Sequence, residues 1–329
     1  MPFPRRFDVL AMGDAIVDVI ATCDDDFLRA HGLPKGSMQL LSPEAADSLY
    51  AAMGSARETS GGSAANTMAG VAAMGGRAAF VGQVATDQLG AIFAHDMRAL
   101  GVQFDTAPID VGLPTGRCLI LVTPDAQRTM NTCPGASHRL SPEALDEVAI
   151  RDAAILMLEG YLFGPELPRT AQYRAVEIAH AAGNQVAFTL SESVCIAGRK
   201  DGFMGLIQGG GLDLLFANED EACQLTGAAD LDGALAALSP LVRTLIITRG
   251  AAGALAFEDG ARTDVPAAPV QQIVDTTGAG DLFAAGVLAA RARGHSIDRQ
   301  LMTGAIAAAE VISHFGARPI ADLKELVKL

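Results

Sequence analysis

The sequence predicts a doubly wound α/β fold in which a mostly parallel sheet is flanked by helices. Short apolar runs alternate along the chain with longer patterns typical of helices. The apolar runs are continuous, as expected for strands that are buried on both faces. Six runs are predicted strands: residues 7–13, 78–82, 154–160, 186–190, 213–218 and 244–248. In such a sheet a binding site is expected at the carboxyl ends of the strands.

Helices are predicted between several of these strands. The clearest are DQLGAIFAHDMRALG (residues 87–101), which ends in a glycine as many helices do, and AQYRAVEIAHAAG (residues 171–183). Two segments, about 22–41 and 102–134, are richer in Pro, Gly and β-type residues. We expect them to pair as a small β-sheet lid on a single domain spanning residues 1–329; the alternative is two ordinary surface insertions.

Charge and composition limit the classes of partner. The 329 residues include 24 Lys and Arg against 38 Asp and Glu, which gives a net charge of −14. An acidic chain is poorly suited to binding nucleic acid or an anionic membrane. The absence of Trp and the presence of only three Tyr also argue against stacking on nucleic acid bases. The expected partners are therefore small molecules, and a monomer and a homodimer both remain open.

The five cysteines and the amino-terminal segment indicate the compartment. The cysteine count is odd and no CxxC pair occurs, which is typical of free thiols in a reducing compartment. The first apolar run is interrupted by Asp8, Asp14 and Asp18, so it predicts a strand rather than a signal peptide or a membrane span. We therefore expect a cytoplasmic protein.

The segment DTTGAGD (residues 275–281) directly precedes an apolar helix pattern. A helix amino terminus exposes unpaired N–H groups, and Gly278, Ala279 and Gly280 leave that end open to an anion. Asp281 follows in the first turn, where the helix dipole should keep it ionised and weakly basic. An anion site beside an acid suits phosphoryl transfer, in which the acid accepts a hydroxyl proton. The alternative is an acid that only favours the helix start.

This segment resembles the signature of the PfkB, or ribokinase-like, family of small-molecule kinases. The resemblance implies a ribokinase-like fold, with ATP and Mg²⁺ as cofactors. It implies that Asp281 is the catalytic base and that the backbone of Gly278, Ala279 and Gly280 binds phosphate. It also permits a monovalent cation such as K⁺ near Asp275.

Two stretches near the amino terminus resemble the acceptor-binding motifs of this family. In GDAIVDV (residues 13–19), Asp18 would accept hydrogen bonds from two sugar hydroxyls, and Asp14 could also touch substrate. In GGSAANTMAGVAAMG (residues 61–75), Gly62 would let the backbone approach the sugar and Asn66 would bind it. Taken alone, these stretches could equally supply a turn acid and an Ala-rich packing helix.

Two later stretches resemble the family's nucleotide-binding motifs. In NEDE (residues 218–221), Asn218 and Glu221 would hold a hydrated Mg²⁺ near the phosphates, although acids are also welcome at any helix start. TRGAAG (residues 248–253) resembles the ATP-binding turn, which implies ATP contacts together with the glycines of the 275–281 segment. The alternative for it is a tight turn between two strands. The ATP-binding residues implied are Asn218, Thr248, Arg249, Gly250, Gly253, Gly278 and Gly280.

Four further stretches resemble the bacterial adenosine kinase-like members of the family: LPKGSMQLL, RTMNTCPGAS, LEGYLF and VISHFGARP. The resemblance implies that Met38 and Leu40 face the base of a nucleoside and that Tyr161 or Phe163 borders it. Arg128 would add positive charge over the transferring phosphate. The alternatives are core packing for the apolar residues and a surface position for the arginine.

The sequence thus predicts an ATP- and Mg²⁺-dependent kinase for a primary hydroxyl of a ribose-containing molecule, with adenosine as the expected acceptor. Asp14 stands where adenosine kinases carry Asn and several sugar kinases carry an acid. A kinase for fructose, ribose or 2-keto-3-deoxygluconate is therefore the first alternative. A non-catalytic nucleoside-binding protein is the second.

Overall fold

The structure is a computed structural model that describes residues 5–125 and 127–329. Its strands are β1 (Phe7–Met12), β2 (Ile16–Thr22), β3 (Met38–Leu40), β4 (Arg57–Gly61), β5 (Ala78–Val81), β6 (Val102–Phe104), β7 (Gly116–Val122), β8 (Arg128–Cys133), β9 (Ala153–Glu159), β10 (Gln185–Thr189), β11 (Leu214–Asn218), β12 (Thr244–Thr248), β13 (Ala254–Glu258) and β14 (Ala261–Val265).

Helices connect most of these strands. The α-helices are α1 (Asp25–Ala30), α2 (Pro43–Ala52), α3 (Ser63–Ala73), α4 (Gln88–Ala99), α5 (Glu147–Arg151), α6 (Glu166–Ala181), α7 (Ser193–Ile196), α8 (Lys200–Gln208), α9 (Glu219–Thr226), α10 (Leu231–Leu238), α11 (Ala279–Ala292), α12 (Ile297–Val311) and α13 (Leu323–Val327). Short 3₁₀ helices cover Gly135–Arg139, Pro142–Ala144, Gly160–Phe163 and Gly250–Ala252. None of the helices in the described ranges has the length and apolar character to cross a membrane.

A nine-stranded sheet forms the main body, in the order β14-β13-β12-β11-β10-β9-β1-β5-β6. All six strands predicted from the sequence lie in it, and each pairs in parallel with its neighbours among them. The antiparallel hairpin β13–β14 extends one edge beyond β12. The prediction of a mostly parallel, doubly wound sheet is confirmed.

Strand β1 has no exposed face beyond Asp8, which explains why residues 9–12 are all apolar. Val9 and Ala11 pack in one hydrophobic core, together with residues of α3, α11 and α12. Leu10 and Met12 point the other way, into a second core that includes α6. Alternate side chains of a strand face opposite sides of its sheet, so helices must cover both faces.

A second, five-stranded sheet has the order β3-β8-β7-β2-β4. Strands β3, β7 and β8 come from the two segments predicted for the lid. However, β6, at the start of the second segment, pairs with β5 in the large sheet. Strands β2 and β4 lie outside the predicted segments. Because three residues, 13–15, separate β1 from β2, the chain leaves the large sheet for the small one within what the sequence presents as a continuous motif.

Close helix packing brings two helix starts together. A Cβ atom on Gly70 of α3 would lie 2.7 Å from side-chain atoms of Ala285 and Leu282 in α11. A larger residue at position 70 would therefore hold the helices apart. The absence of a side chain there lets the first turn of α3 reach the first turn of α11, where the candidate catalytic residues lie.

Candidate active site

The amino terminus of α11 is shaped by glycine. Gly278 is the N-cap residue with a φ of +79°, and a Cβ there would lie 2.6 Å from the Cβ of Ala317. No side chain caps this end, and a Cβ on Gly280 would meet nothing within 4 Å. The Ala279 amide donates to the Thr276 carbonyl at 3.2 Å, whereas the amides of Gly278 and Gly280 have no partner among the described residues. Two of the three predicted amides are thus available to an anion.

Asp281 is held by two side chains from the first turn of α3. Ser63 Oγ donates to one carboxylate oxygen at 2.6 Å, and Asn66 Nδ2 donates to the other at 2.8 Å. Burial raises the pKa of Asp281, while these two hydrogen bonds and the charge of Arg318 oppose the rise. Asp281 is therefore a stronger base than the helix dipole alone suggests. Asn66 was expected to bind substrate; here its amide group contacts Asp281, and its Oδ1 is buried without a partner among the described residues.

Asp18 presents an unused carboxylate on β2. A Cβ on Gly61 would lie 2.5 Å from that carboxylate, so glycine is required at position 61 for close contact. The Asp18 side chain has no hydrogen-bond partner within the described ranges. Burial raises its pKa to about 6, with Arg318 and Arg128 acting to lower the pKa and Asp281 acting to raise it. The carboxylate can therefore accept hydrogen bonds from a ligand.

The register of the small sheet puts the predicted lid residues on one face. Across the strands, Leu40, Thr132, Cys118, Asp18 and Thr59 are neighbours in one row. Met38 lies in the next row and Arg128 lies two residues before Met130, so both share the face of Asp18. The buried cluster of this face consists of Ile16, Cys118 and Ile120, packed against Ile20, Val122 and Met130. Asp18 is thus the acidic point in a mainly apolar surface, which we call the Asp18 face.

Arg128 reaches from β8 to the entry of the 275–281 turn. It forms an ion pair with Asp275, and both side chains are almost fully buried. The same carboxylate accepts the Thr277 and Gly316 amides, each at 3.0 Å. Burial acts to raise the pKa of Asp275, but the hydrogen bonds and the Arg128 charge outweigh it and lower the pKa. The arginine is therefore anchored next to the predicted phosphate-binding amides rather than exposed on a hairpin.

Glu159 joins the two stretches that are predicted to bind the acceptor, and the sequence analysis does not identify it. Its fully buried carboxyl group accepts the Asp14 amide at 2.6 Å and the Ala64 amide at 2.8 Å. Burial and the nearby Asp14 raise its pKa well above the usual range. An acid that ends a buried apolar strand is the signal that could have identified it.

Asp14 lies beside this carboxyl group with one side-chain oxygen unused. Its Oδ1 is buried without a hydrogen-bond partner among the described residues, and His138 Nε2 lies 3.9 Å away. Burial raises the pKa of Asp14, and His138 opposes the rise. Gly62 has a φ of +91°, and a Cβ there would lie 2.3 Å from the Asp14 carbonyl oxygen. Both predicted residues thus pack together where the chain crosses between the two sheets.

Asn218 and Glu221 meet at the start of α9. They form a reciprocal capping box, in which Asn218 Oδ1 accepts the Glu221 amide at 2.8 Å. The Glu221 carboxylate accepts hydrogen bonds from the Asn218 backbone at 3.0 Å and from its side chain at 2.9 Å. Glu221 is buried rather than solvated, and burial raises its pKa. Each oxygen keeps a second lone pair, so the carboxylate fits a hydrated Mg²⁺. Within the described ranges no three His, Cys, Asp or Glu side chains cluster as a metal site.

The predicted ATP-binding turn lies at the same sheet edge. Thr248 is the register partner of Asn218, and the chain then turns back into β13. Gly253 has a φ of +88°, and a Cβ there would lie 2.1 Å from the Val265 carbonyl oxygen. The Arg249 guanidinium donates hydrogen bonds to the Ala252 carbonyl and to the Asp264 carboxylate, each at 3.2 Å. The stretch is therefore a tight turn between two strands, with Gly250 in its short 3₁₀ helix, and its contacts with ATP stay a prediction.

Phe163 is the predicted substrate residue that the structure puts elsewhere. Its side chain is 1% exposed, and its ring stacks on Phe203 with centroids 4.6 Å apart. It belongs to the core around α6 and α8 because its aromatic partners come from that face of the sheet. Tyr161 is half-buried, and its hydroxyl donates to Glu192 at 3.2 Å.

Comparison with known proteins identifies the family. The family model described as pfkB family carbohydrate kinase matches residues 9–323. A solved structure of a probable sugar kinase from Rhizobium etli is 42% identical, with a TM-score of 0.92 and 98% of each chain covered. The adenosine kinase from Sinorhizobium meliloti is 44% identical, with a TM-score of 0.91 over 98% of this chain and 99% of that one. Fructokinase-1 from Oryza sativa subsp. japonica is 31% identical over 69% of this chain and 72% of its own length.

The chain belongs to the pfkB family of carbohydrate kinases. It is an ATP-dependent sugar or nucleoside kinase, and kinases of this family use ATP with Mg²⁺.

Proposed function

We propose that this kinase transfers the terminal phosphoryl group of ATP to the 5′-hydroxyl of adenosine. The observation that carries the choice of acceptor is the Asp18 face. A free sugar is ringed by hydroxyl groups, each of which loses hydrogen bonds with water when it is buried against apolar side chains. A nucleoside has a ribose that Asp18 can bind and a flat base that an apolar surface can cover. Met38, Met130 and Ile120 supply such a surface one row from Asp18.

The proposed roles follow the contacts around α11. Asp18 accepts hydrogen bonds from two ribose hydroxyls, while Gly61 and Gly62 let the backbone lie against the sugar. Asp281, oriented by Ser63 and Asn66, accepts the proton of the attacking hydroxyl as that oxygen bonds to the terminal phosphorus of ATP and the bond from this phosphorus to the ADP oxygen breaks. The amides of Gly278 and Gly280 hold the charge that develops on the phosphoryl oxygens.

ATP and Mg²⁺ are proposed to lie at the carboxyl ends of β11 and β12. Asn218 and Glu221 would hold the hydrated ion, whose positive charge offsets that of the phosphates. The predicted K⁺ near Asp275 fits less well, because Arg128 and two backbone amides already engage that carboxylate. We propose that the guanidinium provides the positive charge there. The free thiols are in keeping with a cytoplasmic location.

A sugar kinase remains the second candidate, and one observation favours it. The unpartnered Oδ1 of Asp14 is suited to a hydroxyl donor on the acceptor. ADP release with ATP and Mg²⁺ should be measured with adenosine, inosine, ribose, fructose and 2-keto-3-deoxygluconate. Turnover with adenosine and not with the free sugars supports the proposal. Turnover with a free sugar alone refutes the adenosine assignment, and release of ADP with none of the five refutes both candidates.

Arg128→Ala should lower turnover by about 10²-fold, the scale of losing one charge-stabilising donor. It should also destabilise the fold, because it leaves the buried Asp275 carboxylate without its cation. Steady-state kinetics and thermal unfolding measure the two effects. Arg117→Ala is the matched control, since Arg117 is also buried in the small five-stranded sheet but pairs with the exposed Asp47. Unchanged turnover in Arg128→Ala would contradict the role at the phosphate.

Acceptor binding should weaken as the pH falls through about 6. The pKa of Asp18 is raised to about 6, so its carboxylate becomes protonated below that pH and loses capacity to accept hydroxyl donors. The KM for the acceptor should rise between pH 7 and pH 5, while the KM for ATP changes less. Asp18→Asn removes the titrating group and should flatten this dependence. A wild-type acceptor KM that is constant down to pH 5 would contradict the assignment.

A further inference from the structure

We propose that Arg318 is a positioning residue of the acceptor site, which fixes the crossover between the small sheet and α3 and supplies the positive charge that keeps Asp18 and Asp281 ionised. The inference rests on the roles proposed above for those two carboxylates. Arg318 lies in the loop after α12, far along the chain from both.

The guanidinium of Arg318 grips the backbone on both sides of Gly61 and Gly62. One nitrogen donates to the Ala65 carbonyl at 2.6 Å, in the first turn of α3. Another donates to the Ser60 carbonyl at 3.0 Å and to its Oγ at 3.2 Å, at the end of β4. Glycine backbone is conformationally free, so these bonds restrain the segment that must lie against Asp18 and the acceptor. A single side chain thereby ties the small sheet to the helix that orients Asp281.

The charge of Arg318 has no direct carboxylate partner. No ion pair within 4.0 Å involves it among the described residues, although the side chain is half-buried and its Nε is buried without a hydrogen-bond partner there. Burial lowers its pKa to about 10, so it stays protonated at neutral pH. The acids that face it are Asp18 on β2, Asp281 on α11 and Asp96 on α4. A cation shared among acids of three elements offsets part of the cost of holding several carboxylates close together away from water.

The two functional carboxylates act on each other as well as on Arg318. Asp281 raises the pKa of Asp18, and burial raises the pKa of both. Arg128 also faces Asp18, and Glu159 faces Asp281. Without Arg318, the acidic groups would remain with one cation fewer. The carboxylate that must accept hydroxyl donors and the one that must accept a proton would then both be protonated at higher pH.

The test compares Arg318→Met, Arg318→Lys and the wild type by kcat/KM for the acceptor between pH 5 and pH 9. We use whichever acceptor the wild type turns over, so the result does not depend on adenosine. In Arg318→Met the acid-side midpoint should rise by about one pH unit from about 6, which lowers kcat/KM about fivefold at pH 6. The acceptor KM should rise while the ATP KM stays within about twofold. Arg318→Lys should restore the acid-side midpoint, with the acceptor KM recovering only in part.

Arg291→Met controls for loss of a buried arginine. Arg291 is on α11, is paired with Glu258 and lies at the opposite end of the helix from Asp281. It should lower thermal stability without moving the pH profile. A folded Arg318→Met whose acid-side midpoint matches the wild type, or moves no further than that of Arg291→Met, would overturn the proposal. Calorimetry of acceptor binding at pH 6 and pH 8 gives a second readout, so failure of the Asp281 assignment would be distinguished from failure of the Arg318 assignment.

Discussion

Asp281→Asn is expected to reduce turnover by about 10³-fold with little change in ATP affinity. Asparagine keeps the shape of the side chain and can still bond Ser63, but it cannot accept the hydroxyl proton. The backbone amides at the start of α11 do not depend on this side chain, so the phosphates should bind as before. Single-turnover kinetics and calorimetry with an ATP analogue measure the two quantities.

Asp298→Asn is the matched control for this substitution. Asp298 also lies in the first turn of a helix, α12, and is exposed. If Asp281 only favoured its helix start, both variants would keep wild-type turnover and lose only a small part of the free energy of unfolding. Turnover of Asp281→Asn within tenfold of the wild type would refute its assignment as the base.

Asp18→Ala should weaken acceptor binding by about 10²-fold and leave ATP binding unchanged. Two hydrogen bonds to a charged acceptor contribute about 3 kcal/mol in total, which corresponds to that factor. Isothermal titration with the acceptor, in the presence of a non-hydrolysable ATP analogue, measures the loss. The alanine removes a half-buried carboxylate that has no hydrogen-bond partner among the described residues, so the variant is expected to fold.

Glu58→Ala provides the comparison for Asp18. Glu58 is on β4 of the same sheet, and its register partner is Val19, so it lies on the face opposite Asp18. Its removal should leave acceptor affinity unchanged. Equal acceptor affinity in Asp18→Ala and the wild type would rule out the proposed role of Asp18.

Much of the large sheet could be predicted because its central strands are buried on both faces. Burial makes the centre of each strand a continuous apolar run, as in residues 9–12 and 245–247, and such runs are visible in the sequence. The small sheet was harder to predict from the sequence. Strand β2 reads as part of the motif that begins with β1, and β6 reads as part of the lid. The partner sheet of a short strand depends on contacts between distant segments, which local sequence does not contain.

The candidate site, too, could be predicted only in part from the sequence. Asp18, Asn66 and Asp281 sit in short motifs whose spacing is visible, although their contacts are not. Ser63 lies 218 positions from Asp281, and Arg318 lies 253 positions from Ala65, so only the folded chain reveals these pairs. Tyr161 or Phe163 is predicted to border the substrate because of their neighbours in sequence, whereas the position of Phe163 is decided by packing against Tyr173, Phe188 and Phe203.

The most direct test of the proposed adenosine kinase activity is to identify the product that the wild-type protein forms from ATP, Mg²⁺ and adenosine. Phosphorus NMR of the reaction mixture distinguishes a 5′-phosphate from phosphate on another hydroxyl and from inorganic phosphate. We expect AMP and ADP in equal amounts, formed about 10³-fold more slowly with Asp281→Asn. Adenosine left unchanged, in a preparation that phosphorylates fructose or ribose, would contradict it.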